Sequence, residues 1–444
     1  MKLRHQRHGL QVVVYVALLV VITVAPFTMF GGRYTGMATA HAATNLNWEY
    51  KGFNIAAYNQ DELLQSGPIL QQLAAAGANS VTFAVTWYTD STASSQIYRR
   101  SATASDDSLI WAIDQARTLG LKVIIKPHID IESDSRSWRA NINPTDVNAW
   151  FTNYTTWMAH FADIAKDHGA SVLVVGSELI TMSTNKANES HWRAMIAEVR
   201  KHFDGKLTYS ANWGGNDFYE EWSKIPFWDA LDYLGISAYF QLTNSYNPSV
   251  TELKASWGNW KQKLYTFQQR WNRPMLFTEV GYRNMDGAAN SPFDWWSNNQ
   301  IDNQEQVDCY EALFSSWANV AWFAGSQFWH WSLHPPSDPP TDYPVQNKPA
   351  YQTVKAWFTA GGQTPNTTPT LLPTVTPSAT PPPTITPTPT NGPVPTPDTA
   401  APSPTPSAEP ATPVPTDAPL PAPVPPGMPP LDQTYEVYLP LMNR

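Results

Sequence analysis

The sequence predicts an α/β fold, a (β/α)8 TIM barrel over residues 46–360, followed by a disordered Thr/Pro-rich stalk. All 20 tryptophans lie between Trp48 and Trp357, whereas most of the 40 prolines lie in residues 363–430. Within the Trp-rich part, eight short runs of β-branched and aromatic residues alternate with segments of helical periodicity. A packed body of this length is typical of one large α/β domain.

The predicted strands and helices follow one another in the order that a closed parallel barrel requires. The strands cover residues 51–58, 79–88, 122–130, 171–179, 206–213, 233–240, 274–282 and 320–332. The helical segments include 108–119, 146–168, 190–203, 252–271, 304–317 and 350–358, and residues 218–229 are expected to be mostly loop. A doubly wound open sheet is the alternative, but no Gly-x-Gly-x-x-Gly motif follows any predicted strand.

The N-terminal residues 1–43 read as an export signal. Three basic residues precede an apolar run from Leu10 to Val24, and Ala40 and Ala42 supply small residues before a cleavage point. An uncleaved membrane anchor is the alternative. We therefore expect an extracytoplasmic protein, secreted or held at the cell surface, and a bacterial source fits an exported chain that can form no internal disulfide.

The C-terminal part of the chain is expected to lie outside the barrel. Residues 361–430 consist largely of Thr-Pro repeats, which favour solvated polyproline II and predict a semi-rigid stalk. Residues 431–444 form a short alternating apolar tail. Its position suggests attachment to the cell surface, and a frayed terminus is the equal alternative.

Charge and cysteine content exclude several classes of protein. The formal net charge is −9, and an acidic surface argues against nucleic acid as the main partner, since phosphate contacts need clustered Lys and Arg. The single cysteine, Cys309, excludes a disulfide framework, a zinc ribbon and an iron–sulfur site, and its apolar helical neighbours predict a buried hydrophobe. We expect a monomer that needs no cofactor.

Polar and aromatic residues follow the apolar interiors of the predicted strands. They include His128, Asn212, Tyr239, Trp329 and Trp331. Because the C-terminal ends of all strands of a barrel meet at one mouth, where active sites are built, these side chains are expected to lie close together.

Two glutamates stand out among the strand ends. Glu178 ends the fourth predicted strand and Glu279 ends the seventh. A carboxylate at the end of a buried strand is costly to desolvate unless it is paired, and a facing pair suits retaining glycoside hydrolysis with one nucleophile and one acid/base. Two unrelated carboxylates in structural ion pairs are the alternative.

The tryptophans divide into two groups by position. Trp87, Trp213, Trp329 and Trp331 lie at predicted strand ends, where indole faces can stack on sugar rings. The tryptophans inside predicted helices are expected to pack in the core; they are Trp150, Trp157, Trp192 and Trp317.

Three polar side chains on the third predicted strand could form either a metal site or a hydrogen-bonding cluster. His128, Asp130 and Glu132 alternate along one strand face. Successive side chains on such a face are about 6–7 Å apart, too far for one ion, so the pattern predicts a polar cluster at the mouth and no metal.

Six ordered motifs carry a family resemblance. They are Lys126-Pro127-His128-Ile129-Asp130 with Trp138-Arg139, then Val175-Gly176-Ser177-Glu178-Leu179, Tyr209-Ser210-Ala211-Asn212-Trp213-Gly214, Asp232-Tyr233-Leu234-Gly235-Ile236-Ser237-Ala238-Tyr239, Thr278-Glu279-Val280-Gly281-Tyr282 and Phe328-Trp329-His330-Trp331. With them the body, from Gly52 to about Phe358, resembles the clan A glycosidases. It is most similar to glycoside hydrolase family 113, whose characterised members are endo-β-1,4-mannanases.

The resemblance implies a role for each matching position. Glu178 would be the acid/base and Glu279 the nucleophile, with Tyr239 hydrogen-bonded to the nucleophile. Trp329 would form the floor of the site, and the further sugar contacts implied are Asn212, His128 and Trp87. Trp331 is also a predicted sugar contact, because of its position at a strand end.

Two positions depart from the family pattern. Most clan members have Asn before the acid/base, where this chain has Ser177, so the contact to the sugar 2-hydroxyl must come from elsewhere, for example from Asn212. Ala140 follows Arg139 where Gly is expected, which points to a different loop.

The function expected from the sequence is that of a secreted, retaining, endo-acting β-glycoside hydrolase, with endo-β-1,4-mannanase as the first candidate. A non-catalytic, surface-displayed carbohydrate-binding barrel is the alternative from another class. A clan A hydrolase that acts on another β-glycan, such as glucan, galactan or xylan, also stays open.

Overall fold

The computed structural model of the chain describes residues 46–132, 138–337 and 340–360. The predicted signal, stalk and tail lie outside these residues. Eight parallel strands close into a barrel in chain order, which confirms the predicted fold. They are β1 (Tyr50–Ala57), β2 (Ser80–Thr89), β3 (Lys122–Ile131), β4 (Val172–Ser177), β5 (Lys206–Asn212), β6 (Leu234–Ser237), β7 (Met275–Glu279) and β8 (Phe323–Phe328).

Helices surround this barrel on the outside. The α-helices of the described residues are Gly67–Ala75, Asp106–Thr118, Val147–Asp167, Ile180–Ser183, Glu189–His202, Val250–Trp271, Asn303–Trp317 and Ala350–Thr359. Short 3-10 turns cover Glu62–Gln65, Arg139–Asn141, Lys186–Asn188, Glu221–Ser223 and Trp228–Ala230. Only the last two turns lie between β5 and β6, as the loop prediction for residues 218–229 required. None of the helices described here has the length and apolarity to span a bilayer.

Polar side chains cap several helices at their N-terminal ends. The Ser249 hydroxyl accepts a hydrogen bond from the Glu252 N–H, and the Glu252 carboxylate accepts one from the Ser249 N–H. The Asp146 and Asp302 side chains accept hydrogen bonds from N–H groups in the first turn of the helices that follow them. Each such cap contributes on the order of 1 kcal/mol by satisfying N–H groups that have no partner within the helix.

The main core lies between the barrel and its helices and is rich in aromatic rings. The helical tryptophans are buried there, as expected: Trp150, Trp157, Trp192 and Trp317. Cys309 is also buried, which raises the pKa of its thiol well above the usual value and keeps it protonated. The core interpretation of these residues is confirmed.

Inside the barrel, polarity increases from the N-terminal end of the strands towards the mouth. A small apolar cluster fills the lower part with Tyr50, Ile124, Val172, Val174, Tyr233, Leu276 and Ala324. Above it the Gln327 side chain donates to the Ser80 hydroxyl (2.7 Å) and accepts from the Thr82 hydroxyl (3.1 Å). The carboxylates described next lie at the upper end of this gradient.

Candidate active site

Glu178 follows directly after β4 in an unusual backbone conformation. Its φ is 56°, in the left-handed region that non-glycine residues seldom adopt. The Glu178 N–H donates to the carbonyl of Ser210 on β5 (2.9 Å), so the neighbouring strand holds the residue there. Strained residues of this kind persist where the surroundings fix them, and they cluster at functional sites.

The Glu178 carboxylate is nearly buried and faces a guanidinium. Arg139 Nη1 lies 3.2 Å from Glu178 Oε2. The same guanidinium bonds Asp130 Oδ1 (2.5 Å) and the Ile129 carbonyl (3.3 Å), so β3 anchors it on the other side. Arg139 therefore orients Glu178 from the turn that follows β3.

Burial raises the pKa of the Glu178 carboxyl, and the charge of Glu279 raises it further. Arg139 and Lys126 act in the opposite direction, and the net direction is upward. A carboxyl that retains its proton to higher pH is suited to donate that proton to a leaving group. This contribution places the Glu279 carboxylate within electrostatic reach of Glu178.

Glu279 ends β7 and receives donors on both carboxylate oxygens. Tyr239 Oη donates to Oε2 at 2.9 Å, and the Lys126 ammonium bonds Oε1. A register shift between β6 and β7 pairs Glu279 with Ser237. These two donors suit an ionised carboxylate, which only accepts hydrogen bonds.

Lys126 and Arg139 are site residues to which the sequence analysis assigned no role. The Lys126 side chain is fully buried, and burial lowers the pKa of its ammonium while Glu279 opposes that shift. A lysine inside a barrel strand is seldom buried without a partner, and that signal could have identified it. It points into the barrel with His128, two positions further along β3.

His128 and Trp329 lie side by side at the mouth. Their rings are stacked at 16° with centroids 6.5 Å apart, and Trp329 is only half-buried. Burial lowers the pKa of His128 well below its usual value, as do the charges of Arg139 and Lys126, so the imidazole is neutral. His128 Nε2 lies 3.9 Å from Glu279 Oε1 and bonds no other described residue, which leaves it available to a ligand.

Asn212 ends β5 with its side chain buried. Its Oδ1 has no hydrogen-bond partner in the described part of the chain, and the Ser177 hydroxyl on β4 has none either. An unpaired buried polar atom is costly, so a ligand group or water that bonds it is favoured. Both atoms lie at the ends of neighbouring strands.

Trp87 and Trp331, two predicted sugar contacts, are not part of this cluster, which corrects the expectation. Trp87 packs outwards against Trp157 of the helix Val147–Asp167 (6.2 Å), because alternate side chains of β2 face opposite sides. Trp331 is 1% exposed and packs edge-on against Phe53 (4.9 Å). The Trp331 ring is buried, and the Arg99 guanidinium lies over the Trp87 ring, 4.5 Å from its centroid.

Replacement of Trp331 by Ala should act on folding. We expect a loss of about 3–5 kcal/mol in the free energy of unfolding, because a large buried ring leaves a cavity. Trp329→Ala should instead raise KM about two- to tenfold, in line with the about 0.5–1.5 kcal/mol that aromatic contacts contribute. Urea denaturation and steady-state kinetics of both variants measure stability and KM. A raised KM in Trp331→Ala together with a loss of stability in Trp329→Ala would contradict the positions given to the two rings.

Arg139→Gln should move the basic limb of the pH profile of kcat/KM to higher pH. The guanidinium lowers the pKa of Glu178, and its loss also leaves the Asp130 charge uncompensated. A general acid loses activity as pH rises through its pKa, so the limb of kcat/KM should shift up by on the order of one unit. Arg193→Gln, which affects an exposed pair with Glu189, is the control and should leave the limb in place.

Three acidic side chains outside this cluster lie close enough to hold an ion. Oxygens of Asp286, Asp302 and Glu305 lie within 4.8 Å of one another. The protein already uses two of these groups, since Asp302 caps a helix and Glu305 accepts from the Gly287 and Ala289 N–H groups. We assign no metal to them.

Comparisons with known proteins point to one family. The model of Glycoside Hydrolase Family 113 matches residues 47–348. A solved complex of a family 113 β-1,4-mannanase is 28% identical, with 70% of this chain and 98% of that chain covered and a TM-score of 0.60. The family 113 β-mannanase AaManA from Alicyclobacillus acidocaldarius, in complex with ManMIm, is 27% identical, with 72% and 99% covered and a TM-score of 0.62.

No curated protein matches the sequence. The family match and these two structures agree with the eight-stranded barrel. The chain belongs to glycoside hydrolase family 113 and is a glycoside hydrolase.

Proposed function

We propose that the protein is a retaining endo-β-1,4-mannanase with Glu178 as acid/base and Glu279 as nucleophile. The carrying observation is the difference between two buried carboxyls at one barrel mouth. Glu178 has a raised pKa, whereas Glu279 accepts hydrogen bonds from a buried ammonium and a tyrosine hydroxyl. Environments that differ in this way define an acid and a nucleophile.

The proposed reaction proceeds in two displacements. A Glu279 oxygen attacks the anomeric carbon as the glycosidic bond breaks, and Glu178 gives its proton to the leaving oxygen. Glu178, now a carboxylate, then takes a proton from water as that water attacks the glycosyl ester and releases Glu279. Tyr239 fixes the Glu279 carboxylate, and Trp329 supports the sugar ring.

Mannan is the proposed substrate because two solved family 113 relatives are described as β-mannanases. The chain has Ser177 where most of the clan has Asn, and the unpaired Oδ1 of Asn212 on the adjacent strand is the group we assign to the sugar 2-hydroxyl. A neutral His128 Nε2 supplies a second polar contact.

Aromatic residues beside the mouth support action on a polymer. Trp213, directly after Asn212, stacks on Phe293 with centroids 5.0 Å apart and an interplanar angle of 18°. Trp295 and Trp296 in the same loop are 66% and 46% exposed. Exposed rings contiguous with a site favour the binding of a chain that extends beyond the cleaved bond. Export to the cell surface remains part of the proposal on the strength of the N-terminal sequence.

A panel of β-mannan, glucan, galactan and xylan tests the substrate, with reducing-sugar detection. We expect mannan to be cleaved at least about tenfold faster than the others, the factor that 1.4 kcal/mol of discrimination gives. Proton NMR of the first product should show the β-anomer, since a double displacement retains configuration. An α-anomer would exclude Glu279 as nucleophile, and preference for another glycan would overturn the mannan assignment.

A further inference from the structure

We propose that Tyr209 and Glu221 form a positioning pair that holds the acid/base Glu178 in its working conformation. The pair acts through the backbone of β4 and touches no substrate. The inference rests on the role of Glu178 given under the proposed function.

Tyr209 contacts the peptide group that follows Glu178. The Leu179 N–H donates to the hydroxyl oxygen of Tyr209 (2.8 Å), a ring on β5 that is fully buried. Since the Glu178 N–H donates to the Ser210 carbonyl (2.9 Å), β5 holds the peptide groups on both sides of Glu178. These two bonds hold Glu178 at a φ of 56°, a conformation that non-glycine residues seldom adopt.

The Glu221 carboxylate orients the Tyr209 hydroxyl. Glu221 lies in the turn after β5 and is 0% exposed. Its Oε1 accepts from the Tyr209 hydroxyl (2.6 Å) and from the Ser183 hydroxyl (2.5 Å). The tyrosine proton therefore points at Glu221, which leaves the lone pairs of that oxygen for the Leu179 N–H.

Glu221 also supports the proposed sugar contact on β5. Its Oε2 accepts from the Asn212 N–H (2.6 Å), so one carboxylate orders the strand ends that carry Glu178 and Asn212. Within the described residues Glu221 takes part in no ion pair. A buried carboxylate held only by neutral donors is costly to desolvate, and a purely structural site could use an amide instead.

The charge of Glu221 also reaches Glu178. Burial raises the pKa of Glu221 to about 7, and the Glu178 charge raises it as well. The effect is mutual, so an ionised Glu221 raises the pKa of Glu178. The other groups that face Glu178 are Glu279, Arg139, Lys126 and Ser237.

Tyr209→Phe is the direct test of the backbone step. It removes the hydroxyl that joins Leu179 to Glu221. The Glu178 carboxyl should then be misaligned with the leaving oxygen to which it gives its proton. We expect kcat/KM on the polysaccharide to fall by about 10–100-fold, the scale of a small misplacement of a reacting group. An activated aryl glycoside, whose leaving group needs no proton, should lose less than about threefold.

Tyr154→Phe is the matched control. Its hydroxyl is also buried and bonds β4, at the Val175 carbonyl (2.9 Å), away from the peptides of Glu178. Tyr154→Phe should lower stability about as much as Tyr209→Phe does. It should leave unchanged the ratio of the kcat/KM for the polysaccharide to that for the aryl glycoside. An equal loss on both substrates in Tyr209→Phe, or the same selective loss in Tyr154→Phe, would overturn the proposal.

Glu221→Gln tests the electrostatic step should Tyr209→Phe not fold. Loss of the negative charge should lower the pKa of Glu178, so the basic limb of kcat/KM should move to lower pH. Glu220→Gln, at the preceding position, affects a surface pair with Lys263 and should not move the limb. An unmoved limb in Glu221→Gln would contradict the inference. A wild-type protein that cleaves no β-glycan would instead overturn the proposed function before any variant is compared.

Discussion

Glu279→Ala should reduce the cleavage of every substrate by on the order of 10⁴–10⁶-fold, the loss found when a nucleophile is removed. No covalent intermediate can form without the carboxylate, whatever the leaving group. Kinetics with mannan and with an activated aryl mannoside measure the loss. Added azide should attack from the emptied side and give a glycosyl azide of the opposite anomer.

The same substitution leaves the Lys126 ammonium without its carboxylate in a fully buried position. Breaking a buried pair in this way can cost about 3–5 kcal/mol, so folding must be measured beside activity. Glu279→Gln keeps the shape of the side chain and one acceptor oxygen. It should also be inactive, but it should be more stable than Glu279→Ala. Glu198→Ala, at an exposed helix position, is the control and should keep full activity. Near wild-type rates in both Glu279 variants would exclude this residue as the nucleophile.

Glu178→Ala should lower the rate according to the leaving group. A sugar hydroxyl is a poor leaving group that needs the proton, so polysaccharide cleavage should fall by about 10²–10⁴-fold, the usual contribution of a general acid. An activated aryl glycoside should still form the intermediate, which then hydrolyses slowly because no base activates water. Steady-state and pre-steady-state kinetics with both substrates measure the difference.

Azide distinguishes this role from a structural one. As an anion it needs no general base, so it should restore turnover in Glu178→Ala and give a glycosyl azide of unchanged anomeric configuration. Glu178→Gln, which preserves the contact to Arg139, is the companion variant. Equal loss on both substrates with no effect of azide would contradict the acid/base assignment.

The fold and the placement of two glutamates at the barrel mouth could be predicted from the sequence because both depend on local patterns. Strand and helix periodicity reflects which faces are buried, and eight alternating units leave few ways to close a parallel sheet. Glu178 and Glu279 were identifiable because each interrupts an apolar strand at its C-terminal end, and barrel topology alone brings such ends together.

Contacts between strands were decided only by the tertiary structure. The side of a strand on which a ring lies depends on register, so Trp87 and Trp331 pack outside the mouth although both follow strand-like runs. The pairing of Lys126 with Glu279 and of Arg139 with Glu178 joins residues far apart in the chain. Their electrostatic effect appears only once folding removes water from between them.

The sequence by itself therefore determined the barrel, the order of its strands and the two carboxylates at its mouth. The tertiary structure decided how the surroundings of these two carboxylates differ. Burial and nearby charges raise the pKa of Glu178, while Lys126 and Tyr239 donate to Glu279. Desolvation and hydrogen bonding act over a few ångströms between distant parts of the chain, and no spacing in the sequence encodes those distances.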